Sequence, residues 1–203
     1  MRSKRLQGID TFTGTCGFGA ARPTPGNPNC PVPDSQDFDF GGAGPNLVGN
    51  IVGFGQKSGI YWALDPDNGN IVWSTLVGPG SSLGGIEWGT ATDGQRIYVA
   101  IANRFNLPYT LFPSGQQITW GAWSALDVAT GKILWNFASG GSVIDGPSIV
   151  DGVLYWGSGY RNIPPGIGNN KVYAFALAGA SDRGQHTGDH SEPSDNHGQH
   201  SHN

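Results

Sequence analysis

The sequence has few charged residues, no basic excess and no long apolar run. Charged residues make up 13% of its 203 positions, about half the usual share, and the formal net charge is −4. Nothing in this charge balance would hold nucleic acid or an anionic membrane, so we expect neither as a partner. No apolar run approaches the roughly 18 residues of a membrane-spanning helix, and the N-terminal residues lack an apolar signal core. These absences predict a soluble chain with no export signal of its own.

Cysteine is almost absent. Cys16 and Cys30 are the two cysteines, and they flank a stretch rich in glycine and proline. A disulfide between them would close a loop of about 15 residues, which is worth about 3 kcal/mol in the chain-entropy model. We expect this disulfide and, with it, an extracellular or periplasmic location. Two free thiols in a reducing compartment are the alternative.

Glycine, proline and aromatic residues are abundant. The chain contains 34 Gly and 14 Pro, and aromatic residues make up 11%. Glycine and proline disfavour long helices, while aromatic residues are enriched in strands. The composition therefore predicts many short strands joined by tight turns.

An internal repeat gives the strongest signal in the sequence. Residues 61–73 and 123–135 share the pattern Ala-Leu-Asp-x-x-x-Gly-x-Ile-x-Trp, and a degraded third copy at 172–177 stops before any Asp, Gly or Trp. Asp at a strand end accepts hydrogen bonds from turn amides and Gly takes a positive φ, so each full copy predicts a strand, a tight turn and a second strand.

A second hairpin signal precedes each copy. Two-residue turns at 49–50, 93–94 and 151–152 each separate apolar runs. Two hairpins per unit give four antiparallel strands, which is the blade of a β-propeller. We therefore predict an all-β fold, a partial β-propeller of four-stranded antiparallel blades with tryptophan-docking repeats. A two-sheet sandwich with coincidental turns is the alternative.

The chain divides into three segments by composition. We predict a loop-rich segment at 1–39, about three propeller blades at 40–177 and a disordered tail at 178–203. Propellers close with roughly four to eight blades, so we expect further blades from the same or another chain.

The tail holds every histidine of the protein, interleaved with acidic residues. Imidazole suits divalent metal ions, so the tail is a candidate weak metal site; a merely solvated polar tail is the alternative. The histidines are His186, His190, His197, His200 and His202.

Across residues 6–177 the sequence resembles the quinoprotein alcohol dehydrogenases that use pyrroloquinoline quinone. The repeats look like their tryptophan-docking propellers, and the runs at 36–41, 55–65 and 84–89 look like the polyvinyl-alcohol-dehydrogenase-like branch. The resemblance covers only the carboxy-terminal part of such a propeller. It implies two-electron oxidation of a small or polymeric alcohol, with the quinone and calcium or another divalent or trivalent cation as cofactors.

The resemblance also implies roles for individual residues. Asp37 would be the general base, with Asp10 as the runner-up, and Asp39 a second carboxylate near the metal. Lys57 would face the quinone carbonyls, where a cation stabilises the charge that develops on reduction. Glu87 and Trp88 would line the quinone pocket, although many relatives carry Asn in place of Glu87.

Structural roles remain open for the same residues. Asp37 and Asp39 could cap a turn, Lys57 could be a solvated turn residue, and Trp88 could be packed in the core between blades. The sequence therefore leaves two alternative functions. The first is a quinoprotein dehydrogenase or a fragment of one. The second is a non-catalytic propeller module for binding or assembly whose histidine tail captures metal.

Overall fold

The computed structural model describes residue 39 and residues 44–81, 85–161 and 166–176. These residues form thirteen strands and no helix. In the described part, no helix is long and apolar enough to cross a membrane. The strands are β1 (Asn46–Val48), β2 (Ile51–Gly55), β3 (Ile60–Leu64), β4 (Ile71–Leu76), β5 (Ala91–Thr92), β6 (Arg96–Ile101), β7 (Tyr109–Thr110), β8 (Gln117–Ile118), β9 (Ala122–Asp127), β10 (Ile133–Ala138), β11 (Ser148–Val150), β12 (Val153–Ser158) and β13 (Lys171–Ala176).

The strands form three successive antiparallel sheets. The first sheet has the order β1-β2-β3-β4, the second β5-β6-β9-β10, and the third β11-β12-β13; β7 and β8 form a separate hairpin between β6 and β9. The predicted all-β fold of four-stranded antiparallel blades is confirmed in the first two sheets. In the described residues the third sheet has three strands, as the truncated third copy of the repeat predicts.

The repeated turns have the same structure in both full copies. Asp65 Oδ1 accepts a hydrogen bond from Asp67 N at 2.8 Å, and Asp127 Oδ1 accepts one from Thr130 N at 2.8 Å. Gly69 and Gly131 have φ values of 74° and 71°, a conformation that side chains other than glycine rarely adopt. The Asp-x-x-x-Gly pattern thus builds the turn between the third and fourth strands of each sheet.

Two apolar clusters join the three sheets. Tyr61, Ile97 and Leu126 belong to the cluster between the first and second sheets. Trp123 and Trp156 belong to the cluster between the second and third sheets, where they stack with their ring centroids 5.3 Å apart. All five side chains are almost completely buried, so the core is two layers of side chains between three packed sheets.

The repeat tryptophans dock each sheet onto the next. Trp73 Nε1 donates to Val128 O at 3.0 Å, and the Trp73 ring lies over Gly131, where a Cβ would be 2.4 Å from a ring atom. Trp135 meets Phe175 of the third sheet edge-to-face at 5.2 Å. Both tryptophans are only partly buried. Both therefore pack against the apolar clusters between neighbouring sheets but keep part of their surface in water, because they lie on the outermost strands.

The antiparallel topology brings four connecting segments to one end of all three sheets. The β2–β3 turn, the residues before β5, the β6–β7 loop and the residues before β11 all lie at the end where β2, β6 and β12 finish. We call this the Lys57 end. The opposite end carries the turns at Asp65, Asp93, Asp127 and Asp151.

At the opposite end, Asp93 is held by a network of hydrogen bonds. Its carboxylate accepts from Gln95 N at 2.9 Å, Arg96 N at 2.7 Å and Tyr98 Oη at 2.8 Å, and it forms an ion pair with Arg96 at 3.0 Å. Burial alone would raise the pKa of Asp93, but these bonds and the nearby charge outweigh it and lower the pKa.

We expect Asp93→Asn to remove a pH-dependent part of the stability. A lowered folded-state pKa stabilises the fold above the unfolded-state value of 3.8 and ceases to do so as the pH falls through the folded-state value. The variant should lose about 1 kcal/mol at pH 7 and progressively less as the pH falls below 3.8, measured by urea unfolding at each pH. Asp151→Asn, in an exposed turn at the same end, is the matched control. A pH-independent loss would contradict the assignment.

Candidate functional site

Lys57 lies buried in the turn between β2 and β3. Its side chain is 7% exposed, and Nζ forms an ion pair with Asp39 Oδ2 at 3.1 Å. The backbone joins the two residues again, because Lys57 N donates to Asp39 O at 2.9 Å. Lys57 is therefore not a solvated turn residue. The Asp39 side chain is 45% exposed, so this carboxylate faces solvent on one side and the buried ammonium on the other.

The Lys57 turn packs against two other segments at the same end. Lys57 O accepts from Ser81 N at 3.1 Å, and Gln56 O accepts from Ile86 N at 3.1 Å. Gly85 approaches so closely that a Cβ there would lie 2.0 Å from Lys57 O, and its φ is +71°. Glycine is therefore required at position 85, and it brings the segment that carries Glu87 and Trp88 against the Lys57 turn.

Gln56 is a buried residue that the sequence analysis did not single out. Its Oε1 accepts from Ser58 Oγ at 2.6 Å and from Trp62 Nε1 at 3.0 Å. Its side chain thereby fixes the turn on which Lys57 sits. No pattern in the sequence marks this role, because Trp62 is opposite Gln56 only after the hairpin has formed.

Glu87 and Trp88 lie just before β5 and face different surroundings. Glu87 is 5% exposed, whereas Trp88 is 47% exposed. Trp88 N donates to Ile144 O at 3.1 Å, which ties this segment to the third sheet. Trp88 is therefore not packed in the core, and part of its indole is open to a ligand at the Lys57 end.

Asp145 is a second residue at this end that the sequence analysis missed. It follows Ile144, and its segment meets the Trp88 segment so tightly that a Cβ at Gly89 would lie 2.9 Å from Gly146 Cα. Asp145 Oδ2 accepts from Gly157 N at 3.1 Å. Burial raises the pKa of its carboxyl, although the backbone hydrogen bonds oppose the shift. Its place before β11, equivalent to that of Trp88 before β5, is the signal that could have found it.

The remaining candidate residues lie outside the described residues. These are the predicted base Asp37, the alternative base Asp10, the cysteines Cys16 and Cys30, and the five histidines of the tail. Among the residues that the structure describes, no group of three or more His, Cys, Asp or Glu side chains could hold a metal ion. The tail histidines and the carboxylate metal set therefore stay predictions.

The described part of the Lys57 end carries two side chains of the kind that contact a planar anionic group. A buried ammonium can stabilise negative charge on an oxygen, and an exposed indole offers a flat apolar face to a conjugated ring. Lys57 and Trp88 belong to segments that Gly85 and Ile86 hold together. The chemistry of this set suits a quinone carrying carboxylates.

Comparisons with known proteins agree with the predicted resemblance. No protein-family model matches the chain. A polyvinylalcohol dehydrogenase of Sphingopyxis sp. (strain 113P3) is 38% identical over 115 residues, covering 54% of this chain and 16% of that protein. Over these 115 residues the chain is similar to a polyvinylalcohol dehydrogenase. A second such enzyme, from Pseudomonas sp., is 29% identical over 199 residues, covering 65% of this chain and 30% of that protein. The chain thus spans less than a third of either relative.

Solved structures agree on the fold. Quinohemoprotein alcohol dehydrogenases from Comamonas testosteroni and Pseudomonas putida HK5 match with TM-scores of 0.50 and 0.51, each at 17% identity. Each match covers 68% of this chain and 26% or 25% of the other chain, respectively. At this identity the likeness concerns architecture. The three sheets are blades of a partial β-propeller.

Proposed function

We propose that the chain is part of a quinoprotein oxidoreductase that oxidises an alcohol with pyrroloquinoline quinone and a calcium or similar cation. The observation that carries the proposal is the buried Lys57 ammonium, paired with Asp39 and packed beside the Glu87–Trp88 segment. A buried cation is costly unless it serves a partner or a ligand. The relatedness to polyvinylalcohol dehydrogenases supports the same function.

The residues divide the chemistry among them. The quinone, when bound, supplies the acceptor for two electrons and the carbon-bound hydrogen of the alcohol. Asp37 would take the hydroxyl proton, so that the C–O bond becomes a carbonyl. Lys57 would stabilise negative charge on the quinone oxygens, and the exposed indole of Trp88 would pack against the ring. The carboxylate of Asp39 is of the type that holds calcium, and Glu87 would line the quinone pocket.

The proposed substrate is a secondary alcohol, either small or polymeric. The names of the two curated relatives specify polyvinyl alcohol, a carbon chain with a hydroxyl on alternate carbons. Transfer of that substrate to this chain is part of the proposal. We also propose an extracellular or periplasmic location, where a large polymer could reach the enzyme.

We further propose that additional blades, from the same or another chain, cover both end faces of this three-sheet stack. Leu47, at 76% exposure, alternates on β1 with Val48, which packs against the second sheet, so Leu47 projects away from the second sheet. Val172, at 80% exposure, projects from the third sheet away from the second. Exposed apolar faces of this kind mark association surfaces.

The proposed function predicts that Lys57→Met weakens quinone binding by roughly ten- to a hundredfold, because a charge-assisted hydrogen bond is lost. The 203-residue chain is titrated with pyrroloquinoline quinone in the presence of calcium, and binding is monitored by the quenching of tryptophan fluorescence. Lys132→Met is the matched control, because Lys132 is an exposed lysine at the opposite end. Equal affinity of the parent and Lys57→Met would rule out the proposed contact.

A further inference from the structure

The loop that follows β6 begins beside the proposed quinone site. Ala102 N donates to Gly85 O at 3.0 Å. Gly85 is two residues before Glu87, and Ala102 immediately precedes the loop at 103–107. The loop is therefore attached to the same segment that carries Trp88, at the Lys57 end of the second sheet.

The loop has a fixed conformation because Asn103 holds it from inside. Asn103 is 2% exposed and adopts a positive φ of 44°. Its Nδ2 donates to Leu107 O at 2.8 Å, and its Oδ1 accepts from Leu107 N at 3.0 Å. A second bond from Nδ2 reaches Trp120 O at 3.3 Å. One buried amide thus fixes both backbone groups of Leu107.

This fixed loop presents apolar side chains to solvent. Phe105 is 49% exposed and Leu107 is 46% exposed. The Arg104 guanidinium lies over the Phe105 ring, 5.2 Å from its centroid. Isolated exposed apolar residues are common. Here two of them lie on a preorganised loop attached to the segment of the exposed Trp88, so a ligand would bind without the cost of ordering the loop.

We propose that Phe105 and Leu107 form a subsite for the carbon backbone of a polymeric polyol whose reacting hydroxyl lies at the Lys57 site. The inference rests on the proposed function. A chain of alternating methylene and carbinol groups has an apolar edge that can pack on Phe105 and Leu107. Its other hydroxyls remain hydrated or accept hydrogen bonds from Arg104. A small alcohol at the reacting position has no such backbone, so the subsite would select the polymer.

The test measures polymer binding by the 203-residue chain without quinone or cation. Poly(vinyl alcohol) of defined length and 2,4-pentanediol are titrated separately and followed by calorimetry. We expect the double variant Phe105→Ala/Leu107→Ala to bind the polymer at least tenfold more weakly than the parent, with diol binding unchanged. We expect this loss of affinity because the double variant removes two half-buried apolar side chains from the contact with the polymer. The single variant Phe105→Ser, with its far-UV circular dichroism compared with that of the parent, repeats the test if the double variant unfolds.

Phe112→Ala is the matched control. Phe112 is 64% exposed and lies at the tip of the β7–β8 hairpin, outside the proposed subsite. An equal loss of polymer binding in Phe112→Ala would indicate general adsorption to apolar surface and overturn the proposal. A parent chain that does not bind the polymer, or variants that bind it as tightly as the parent, would overturn it as well.

The two proposals fail separately. If Lys57→Met leaves quinone binding intact while polymer binding depends on Phe105 and Leu107, the proposed Lys57–quinone contact fails, and the loop remains a polymer-binding surface with no shown link to oxidation. If quinone binding depends on Lys57 while the Phe105 and Leu107 variants bind the polymer as tightly as the parent, the subsite fails and the proposed function stands.

Discussion

Replacing Trp123 with alanine should lower the free energy of unfolding by about 3–5 kcal/mol, the range for removing a large aromatic side chain from a core. Trp123 is 0% exposed. Its ring stacks on Trp156 at 5.3 Å and meets Tyr173 edge-on at 4.9 Å. Both partners belong to the third sheet, so the substitution leaves a cavity between the second and third sheets.

Trp73→Ala is the informative comparison, because Trp73 lies at a repeat position that marks it for docking yet is only partly buried. We expect a loss of about 1–3 kcal/mol, smaller than at Trp123, because less apolar surface leaves water at position 73. Urea unfolding, monitored by far-UV circular dichroism, measures the loss of unfolding free energy in both alanine variants. This signal does not depend on tryptophan fluorescence. Trp123→Phe keeps a folded species available if the alanine variant is too unstable. A larger loss at Trp73 than at Trp123 would show that docking of the outer strands dominates the core.

Replacing Asp37 with asparagine should lower the turnover of alcohol oxidation by roughly 10²- to 10⁴-fold, the usual contribution of a positioned general base. Asparagine keeps the size and hydrogen-bonding capacity of the side chain but cannot take the hydroxyl proton. The measurement is quinone-dependent dye reduction in a preparation of the chain that oxidises an alcohol, with calcium present. Because the proton acceptor is lost while binding is kept, kcat should fall far more than KM changes.

Asp39→Asn is the matched control for Asp37→Asn, since it removes a carboxylate two residues away. It breaks the charge pairing with Lys57 but leaves the proposed base, so we expect a smaller loss of turnover than in Asp37→Asn. Full activity of Asp37→Asn would place the base elsewhere, and Asp10→Asn would be the next variant to measure. An equal loss in the two variants would favour a shared structural role.

The propeller fold and its turns followed from the sequence because their causes are local. The side chain of Asp127 reaches a turn amide three residues away, and Gly131 supplies the positive φ in the same turn. The truncated third repeat predicted a sheet without its last strand for the same reason. Hydrogen bonds over a few residues and the backbone freedom of glycine act alike in both full copies.

The site was only partly accessible to sequence reasoning. The resemblance named Lys57 and Asp39 as separate candidates, and the hydrogen bonds between them became visible only in the fold. Gln56 and the Asn103 loop carry no local pattern that marks them, and Asp145 is marked only by its place before β11. Their roles depend on backbone groups of other segments, such as Gly157 for Asp145 and Trp120 for Asn103.

The sequence by itself determined the strands, the turns and the order in which blades follow one another, because each depends on interactions within a hairpin. Only the tertiary structure decided that Lys57 is buried, that Trp88 and Phe105 are exposed, and that Trp123 rather than Trp73 lies at the centre of the core. Burial is set by what packs from other sheets. The side chains alternate between the two faces of the sheet in the same way in both repeats. The position of a strand within its sheet decides which of these side chains are buried.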